Sequence, residues 1–248
     1  MRFSQNFLID EGVADRQVSY ANLNENDVVL EIGAGNGILT KRIAKIAKVI
    51  AIEIDERFIP KLKNIKNVEI INADITELDL KDIYFNKVIS NIPYHISSEI
   101  TFKLLEKKFD LGILMYQKEF AERLVARDGK NYSRLSVMVY SKADVEILEF
   151  VSRKAFRPTP KVDSCIVKIV PIGKRFSIDD KIFEEVVRVL FSHRRKKIKN
   201  SLSLCGLLSK EEAEKIDVAD LRVEELSPEK IAEICRIVEE KNEMEKNI

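Results

Sequence analysis

The sequence predicts an α/β protein, in which a mostly parallel sheet wrapped by helices is followed by a small helical domain. From residue 28 onward, short apolar runs alternate with amphipathic stretches, a pattern typical of strand and helix units in turn. Two long apolar runs then follow each other without an amphipathic stretch, as in an antiparallel pair. Beyond residue 175 only helical periodicity remains. We therefore predict one domain over 1–172 and a second over 173–248.

The elements of the first domain follow from the composition of each run. Strands are expected at 28–32, 49–54, 68–74 and 87–93, where Val, Ile and Leu dominate, with helices at 38–47 and 57–65. The runs at 135–151 and 164–172 are typical of long strands, and the turn-rich segment 156–163 separates them. This pair is predicted to close the sheet.

The second domain is predicted from amphipathic periodicity after a linker at 171–175. Helices are expected at 180–191, 198–204, 211–216 and 227–240. The last of them begins with Ser227 as its N-cap and Pro228 at the first helical position.

Composition limits the class of protein. The 248 residues include 42 basic and 41 acidic side chains, so the global charge favours no partner. No apolar run reaches the roughly 18 residues of a membrane span, and the N-terminus lacks a secretory pattern, so we expect a cytoplasmic protein without membrane association. Two distant histidines, three isolated cysteines and scattered acids show no ligand spacing, so no metal site is predicted.

A glycine-rich loop follows the first predicted strand. Gly33, Gly35 and Gly37 stand where a helix is expected to begin, and glycines there let the backbone approach a ligand and present its amides. A dinucleotide fingerprint would place its third glycine at position 38, which is Ile38. The spacing therefore disfavours a bound pyrophosphate.

Acidic residues end the next two predicted strands. Glu53 can accept hydrogen bonds from both hydroxyls of a ribose, and Asp74 can bind an adenine amine at the same edge of the sheet. A ribose and an adenine without a pyrophosphate indicate S-adenosylmethionine as the cofactor. The alternative is that the glycines only form a tight turn and that the two acids cap helices.

The segment Asn91-Ile92-Pro93-Tyr94, at the end of the fourth predicted strand, has the chemistry of a clamp for a planar amine. The side-chain carbonyl of Asn91 and the backbone carbonyl of Ile92, which precedes Pro93, can both accept hydrogen bonds from one flat amine. Tyr94 can stack on the ring that carries the amine. These four residues are the predicted catalytic group.

Several motifs stand in the order of a known family: Ser4-Gln5-Asn6-Phe7-Leu8, then 31–37, 51–55, 72–75, 91–97 and 156–164. Together they resemble the ribosomal RNA adenine dimethyltransferases over roughly residues 3–204. The resemblance implies a Rossmann-like methyltransferase fold. It also implies an enzyme that moves methyl groups from S-adenosylmethionine to the exocyclic amine of adenosine, twice per base.

The resemblance also implies roles for single residues. It implies that Asn6, Leu8, Gly33, Glu53, Asp74 and Asn91 contact the cofactor. Gly35, Ile54 and Ile75, which lie beside these residues, are also expected to bind the cofactor. Phe156 is expected to stack on the flipped base opposite Tyr94, with a core aromatic beside a proline turn as the alternative. His95 stands where relatives more often have Asn, and we expect it to support the loop rather than to receive a proton.

A local excess of positive charge predicts contact with RNA. Between residues 188 and 199 there are six basic residues and no acid, whereas 208–248 hold thirteen acids and seven bases. We predict a basic helix that faces RNA phosphates and makes the second domain RNA-binding, formed by Arg194, Arg195, Lys196 and Lys197. Lys118, Arg123, Arg127 and Lys130 are expected to extend this surface. The alternative is an ordinary solvated helix face.

The resemblance implies dimethylation of two adjacent adenosines near the 3′ end of small-subunit ribosomal RNA, by a monomer that acts on the immature small subunit. Two alternatives remain open. One is a large-subunit adenine dimethyltransferase, although residues 132–137 and 191–197 look more like the small-subunit branch. The other is a ribosome assembly factor of the same fold without catalysis, against which the intact clamp argues.

Overall fold

The computed structural model describes residues 6–246, so Ser4 and Gln5 of the N-terminal motif lie outside the described residues. The chain forms two compact units. The first contains the described part of Met1–Ala121 together with Ala143–Gly173, and the second contains Glu122–Lys142 together with the described part of Lys174–Ile248. The predicted first domain included residues 122–142, which belong to the second unit in the structure. The chain passes from the first to the second unit after Gly173, next to the predicted boundary at residue 172.

Most strands of the first unit belong to one seven-stranded sheet, in the order β4-β3-β2-β5-β6-β9-β7. These strands are β2 (Val28–Ile32), β3 (Lys48–Ile52), β4 (Val68–Ile71), β5 (Lys87–Asn91), β6 (Leu111–Gln117), β7 (Ala143–Val151) and β9 (Ser164–Pro171). β1 (Phe7–Leu8) and β8 (Phe156–Arg157) form a separate antiparallel pair, in which Leu8 lies opposite Phe156.

The order of the strands confirms the predicted α/β sheet. β2 to β6 are parallel, and β9 is antiparallel to both β6 and β7. Val29, Val49, Ile89 and Ile113 are fully buried at the centre of the sheet, which is why these strands are nearly continuous apolar runs. The strand order reverses between β2 and β5, and ligands of such folds bind outside the carboxyl ends of the strands at this point.

Helices follow the strands of the first unit. They are α1 (Glu11–Ser19), α2 (Thr40–Ile43), α3 (Ile59–Lys63), α4 (Ser97–Leu105) and α5 (Lys118–Val125), whose last residues belong to the second unit. Short 3-10 helices occur at Tyr94–Ile96 and Arg153–Ala155. The Asp10 side chain caps α1 by accepting a hydrogen bond from the Val13 N–H at 3.0 Å, and α1 buries Ala14 and Val18.

The second unit is helical. It contains α6 (Arg134–Tyr140), α7 (Asp180–Ser192), α8 (Ile198–Leu204), α9 (Lys210–Glu214), a 3-10 helix at Val223–Glu225 and α10 (Pro228–Lys246). Asp179 caps α7, and the Ser227 hydroxyl accepts a hydrogen bond from the Lys230 N–H at 3.4 Å at the start of α10. The expected helices at the C-terminal end are therefore present, with longer bounds for the last one.

The prediction of one long strand over 135–151 was wrong in its first half. Residues 134–140 form α6, and only Ala143–Val151 is a strand. A capping box between Ser133 and Ser136 begins the helix, which buries Val137 against α7. β-branched residues normally favour strands, but here the buried side chains pack in the core of the second unit and override that preference.

Within residues 6–246, no helix is both long and apolar enough to cross a membrane. Likewise, no group of three or more His, Cys, Asp or Glu side chains in this part of the chain is arranged to hold a metal ion.

Candidate active site

A cavity of about 350 Å³ lies in the first unit, at the carboxyl ends of the parallel strands. The loops that follow β2, β3, β4 and β5 all contribute to its wall. Every residue predicted to bind the cofactor or to act in catalysis lines this cavity: Asn6, Leu8, Gly33, Gly35, Glu53, Ile54, Asp74, Ile75, Asn91, Ile92, Pro93, Tyr94 and Phe156. The structure thus brings together residues that are spread over 150 positions of the sequence.

The glycine loop forms one wall of the cavity with backbone alone. Gly33 and Gly35 have φ values of +73° and +49°, in the left-handed region that favours glycine. A Cβ at Gly35 would lie 3.2 Å from the Phe7 ring, and one at Gly33 would lie 3.7 Å from Pro93. A side chain at either position would therefore strain the glycine loop or fill the space between this loop and the clamp.

Glu53 is held in one orientation beneath the glycine loop. It is 3% exposed, and its two carboxylate oxygens accept hydrogen bonds from the N–H groups of Gly35 at 2.7 Å and Asp55 at 2.8 Å. Each oxygen keeps a further lone pair, so the carboxylate can still accept hydrogen bonds from ribose hydroxyls.

A second carboxyl group, that of Glu31, lines the cavity beside Glu53. It is buried at 2% exposure, and its Oε2 has no hydrogen-bond partner within the described residues. Burial, together with the nearby charge of Glu53, raises the pKa of Glu31 to about 8. The group is therefore mostly protonated at neutral pH and can donate a hydrogen bond.

Asp74 is fixed by its own turn. Its Oδ1 accepts hydrogen bonds from the N–H and the hydroxyl of Thr76, both at 2.8 Å, and these bonds lower the pKa of the carboxyl group. Oδ2 takes part in none of the described hydrogen bonds, so it can accept one from a ligand amine. The geometry suits the predicted contact with adenine.

Lys103 of α4 supports this turn, and sequence analysis did not identify it. Its Nζ donates hydrogen bonds to the carbonyls of Ile75 at 2.7 Å and Thr76 at 2.9 Å. α4 begins directly after the clamp, so Lys103 ties the helix behind the clamp to the turn that carries Asp74. No local motif marks a lysine whose partners lie 27 and 28 residues away.

The clamp itself has an unusual polar atom. Asn91 Oδ1 is buried, and no donor satisfies it within the described residues. A buried acceptor without a partner costs about 1–3 kcal/mol, so a native structure keeps one only where a ligand supplies the donor or for another specific reason. The backbone of Ile92 is anchored by its N–H, which donates to the Met115 carbonyl at 3.1 Å.

Two aromatic side chains line the cavity next to the clamp. The hydroxyls of Tyr94 and Ser164 are hydrogen-bonded at 2.7 Å, which fixes the Tyr94 ring from β9. Phe156 is 2% exposed and belongs to the core of the first unit, yet it also lines the cavity. Phe156 is therefore a core aromatic residue, as in the alternative prediction, but part of its ring faces the cavity, where a ligand can reach it. His95 is exposed and also lines the cavity.

The predicted basic helix is not a helix at its basic residues. α7 ends at Ser192 and α8 begins at Ile198, so Arg194 to Lys197 lie in the connecting turn. The backbone leaves the helical conformation at His193, which has φ −114° and ψ 35°. The prediction of a helical face was therefore wrong for the four residues assigned to RNA.

Two of these four residues are held within the second unit. Arg194 Nε donates to Glu224 at 2.8 Å, and Lys197 Nζ donates to Asp220 at 2.9 Å. Arg195 and Lys196 are exposed and form no ion pair within the described residues. Half of the predicted positive charge is thus compensated by local carboxylates.

Comparisons with known proteins identify the family of this chain. The model of the ribosomal RNA adenine dimethylase family matches residues 1–243. The chain belongs to the ribosomal RNA adenine dimethylase family. Membership confirms the predicted family, enzymatic activity and cofactor: this is an adenine methyltransferase of ribosomal RNA that uses S-adenosylmethionine.

Individual relatives cover almost the whole chain. A protein of Methanosarcina acetivorans, named as a probable ribosomal RNA small subunit methyltransferase A, is 46% identical over 250 residues, 95% of this chain and 92% of the relative. A protein of the same name from Thermococcus onnurineus is 46% identical over 245 residues, 93% of this chain and 89% of the relative.

Solved structures of the family share the fold. A dimethyladenosine transferase from Plasmodium falciparum superposes with a TM-score of 0.83 at 31% identity, covering 96% of this chain and 98% of the relative. The 23S rRNA methyltransferase ErmE superposes with a TM-score of 0.73 at 27% identity, covering 94% and 99%. The family fold therefore extends over both units.

The residues present fit S-adenosylmethionine. Positive φ values at Gly33 and Gly35 leave an open backbone wall, while Glu53 and Asp74 offer fixed acceptors for a ribose and an adenine. When bound, the cofactor supplies an electrophilic methyl group on a sulfonium. The orphaned Asn91 Oδ1 stands in the same cavity, where the methyl acceptor must meet that group.

Proposed function

We propose that the protein dimethylates two adjacent adenosines near the 3′ end of small-subunit ribosomal RNA, acting in the cytoplasm as a monomer on the immature small subunit. The observation that carries the proposed chemistry is the buried, unpartnered Oδ1 of Asn91, beside the carbonyl of Ile92. The names of the relatives from Methanosarcina acetivorans and Thermococcus onnurineus support the small subunit as the source of the RNA.

The clamp would activate the adenine amine by hydrogen bonding. An exocyclic amine is a poor nucleophile because its lone pair is delocalised into the ring. Asn91 Oδ1 and the Ile92 carbonyl would accept its two hydrogens, which favours a pyramidal nitrogen and stabilises its growing positive charge. Such preorganised groups contribute about 3–4 kcal/mol each in other enzymes, and alignment of the reactants contributes about 7–11 kcal/mol in favourable cases.

No strong base is required by this chemistry. After transfer, the nitrogen carries a positive charge, and its proton is acidic enough to leave to water or to a carbonyl. The first transfer leaves a secondary amine with one remaining hydrogen, so one of the two acceptors must release its partner before the second transfer.

The target base has to leave its stack to reach this cavity. In this proposal Tyr94, held by Ser164, and Phe156, held by the pairing of β8 with β1, would contact its two faces; both residues line the cavity. Base–aromatic stacking contributes about 1–3 kcal/mol per base, which compensates for part of the cost of flipping.

We further propose that the second unit binds RNA phosphates through Arg195 and Lys196. Both side chains are exposed, and neither is compensated by a carboxylate in the described part of the chain. A contact of this kind positions the RNA without reading its sequence.

The test is methylation of defined substrates with labelled S-adenosylmethionine. Immature small subunits, large subunits and free ribosomal RNA would be compared, and the modified nucleotides mapped. We expect dimethyladenosine at two adjacent positions near the 3′ end of the small-subunit RNA. Label in the large-subunit RNA alone would favour the resistance-type activity, and no label in any substrate would favour an assembly factor without catalysis.

A further inference from the structure

A basic surface flanks Phe156 on the first unit. It consists of Arg153, Lys154, Arg157 and Lys161, which we call the Phe156 rim. All four side chains are exposed, and none forms an ion pair with a carboxylate in the described part of the chain. The segment 152–162 contains no acidic residue.

The backbone of this segment is fixed. The Arg153 N–H donates to Asp163 Oδ1 at 2.9 Å, and the Arg153 guanidinium donates to the Lys161 carbonyl at 3.2 Å. The Lys154 N–H donates to the Ser152 hydroxyl at 3.3 Å. These bonds join the two ends of the segment, so the rim is a defined surface.

The rim is directly connected to the active-site cavity. In β8, Phe156 pairs with Leu8 and Arg157 pairs with Phe7. Successive side chains of a strand point to opposite faces. Phe156 is accordingly buried at the cavity, while its neighbour Arg157 is exposed. Arg157 thus lies on the face of β8 away from the cavity, but it directly follows Phe156, so a nucleotide whose base reaches Phe156 would bring its backbone close to this exposed side of the segment.

An exposed aromatic residue lies on the strand that leads to the rim. Phe150, near the end of β7, is 62% exposed, and the Lys118 ammonium lies 5.5 Å from the centre of its ring. The Lys118 N–H donates to the carbonyl of Asp163, so this pair is tied to the same segment. An exposed ring beside positive charge is the usual platform for an unpaired base.

In the second unit, by contrast, carboxylates already pair with some of the predicted RNA-binding side chains. Of its predicted RNA contacts, Arg194 and Lys197 are held by Glu224 and Asp220, and these bonds would have to be exchanged for phosphates. The rim cations have no such competitor within the described residues. Basic side chains that are not paired with a carboxylate bind phosphates with the full gain from counterion release.

We propose that the Phe156 rim binds the RNA phosphates on either side of the methylated adenosine, and that Phe150 stacks on an unpaired base next to it. This inference rests on the proposed function, because it assumes that the flipped adenosine enters the cavity past Phe156. It adds a second RNA contact, on the unit that carries out the chemistry.

The test compares two triple variants that lose the same charge. In one, Lys154→Gln, Arg157→Gln and Lys161→Gln are combined, so that the hydrogen bond of the Arg153 guanidinium to the Lys161 carbonyl is kept. In the control, Lys45→Gln, Lys63→Gln and Lys66→Gln remove exposed cations that precede β3 and β4, at the opposite ends of the parallel strands. Binding to small-subunit ribosomal RNA is measured against salt, together with the KM for this RNA and the affinity for S-adenosylhomocysteine.

In the rim variant we expect the slope of log affinity against log salt to become about 2 units less steep, at about 0.7 per phosphate contact. The KM for RNA should rise about tenfold or more, while the affinity for S-adenosylhomocysteine and the control stay as in the wild type. Phe150→Ala should weaken RNA binding about 5- to 100-fold with little change of the slope.

The outcomes separate the two proposals. If the wild type methylates small-subunit RNA but the rim variant matches the control in slope and KM, the rim does not bind RNA. If the wild type transfers no methyl groups while the rim variant still loses RNA affinity, the proposed function fails and the rim remains an RNA-binding surface.

Discussion

Replacement of Lys103 by Met should weaken cofactor binding although Lys103 does not line the cavity. Methionine keeps the length and most of the apolar contacts of the lysine stem. It removes the ammonium that donates to the Ile75 and Thr76 carbonyls at 2.7 and 2.9 Å. The turn that holds Asp74 Oδ1 then loses its attachment to α4.

The size of the effect follows from these two bonds. A hydrogen bond from a charged donor contributes about 1.5–3 kcal/mol, but Lys103 is only half-buried, and water can replace it at both carbonyls. The affinity falls only by the difference between the hydrogen-bond free energy that is lost in the cofactor-bound turn and the free energy that is lost in the free turn. We therefore expect about 1–1.5 kcal/mol, which corresponds to a Kd about five- to tenfold higher.

The measurement is calorimetric titration with S-adenosylhomocysteine at pH 7.5. Lys107→Met is the matched control, because the Lys107 ammonium also donates to a backbone carbonyl, that of Lys81 at 2.9 Å, and is likewise half-buried. Its partner does not line the cavity. Equal dissociation constants for the two variants would refute the role of Lys103 as a positioning residue.

Three further predictions concern residues of the cavity itself. Asn91→Ala should lower kcat by about 100-fold or more while RNA binding in a gel-shift assay is retained, and unchanged methyl transfer would contradict the clamp. Gly35→Ala should lower the free energy of unfolding by about 1–2 kcal/mol in a denaturant titration, since φ is +49° and the new Cβ meets the Phe7 ring. The control Gly129→Ala also adds a side chain at positive φ but in open space, so only Gly35→Ala should change the affinity for the cofactor. For wild-type Glu31, whose pKa rises from 4.5 to about 8 on folding, stability should fall as pH increases from about 4.5 to about 8, because the folded state holds the proton that the unfolded state loses. Glu31→Gln should flatten this dependence, and parallel slopes for both proteins between pH 5 and 8 would contradict the burial of the neutral acid.

Much of the candidate site could be predicted from the sequence, because parallel strands bring their carboxyl ends to one edge. Gly33, Glu53, Asp74 and Asn91 each end a recognisable apolar run, so their proximity follows from the strand pattern alone. The fold class follows from the same alternation. The spacing of residues along the sequence was therefore sufficient to predict the ligand contacts that lie immediately after a strand.

Contacts between distant residues could not be predicted. The helix α6 carries Val137 and Val139, which favour a strand locally, but both are buried and Val137 packs in the core of the second unit. The ion pairs of Arg194 and Lys197 join residues 30 and 23 positions apart. Counting the charges within a short stretch of sequence therefore does not reveal that these two are compensated. Lys103 was missed for the same reason.

The division of the chain also has a consequence for how the protein can be synthesised or cut. α6 is made before β7 and β9, yet the helix α7 that covers it is made after them. On the ribosome, the sheet of the first unit can therefore close while Val137 and the buried Tyr132 still lack their partners. A protein shortened at residue 172 would keep this uncovered apolar face, so expression of the first unit alone should remove residues 122–142 as well.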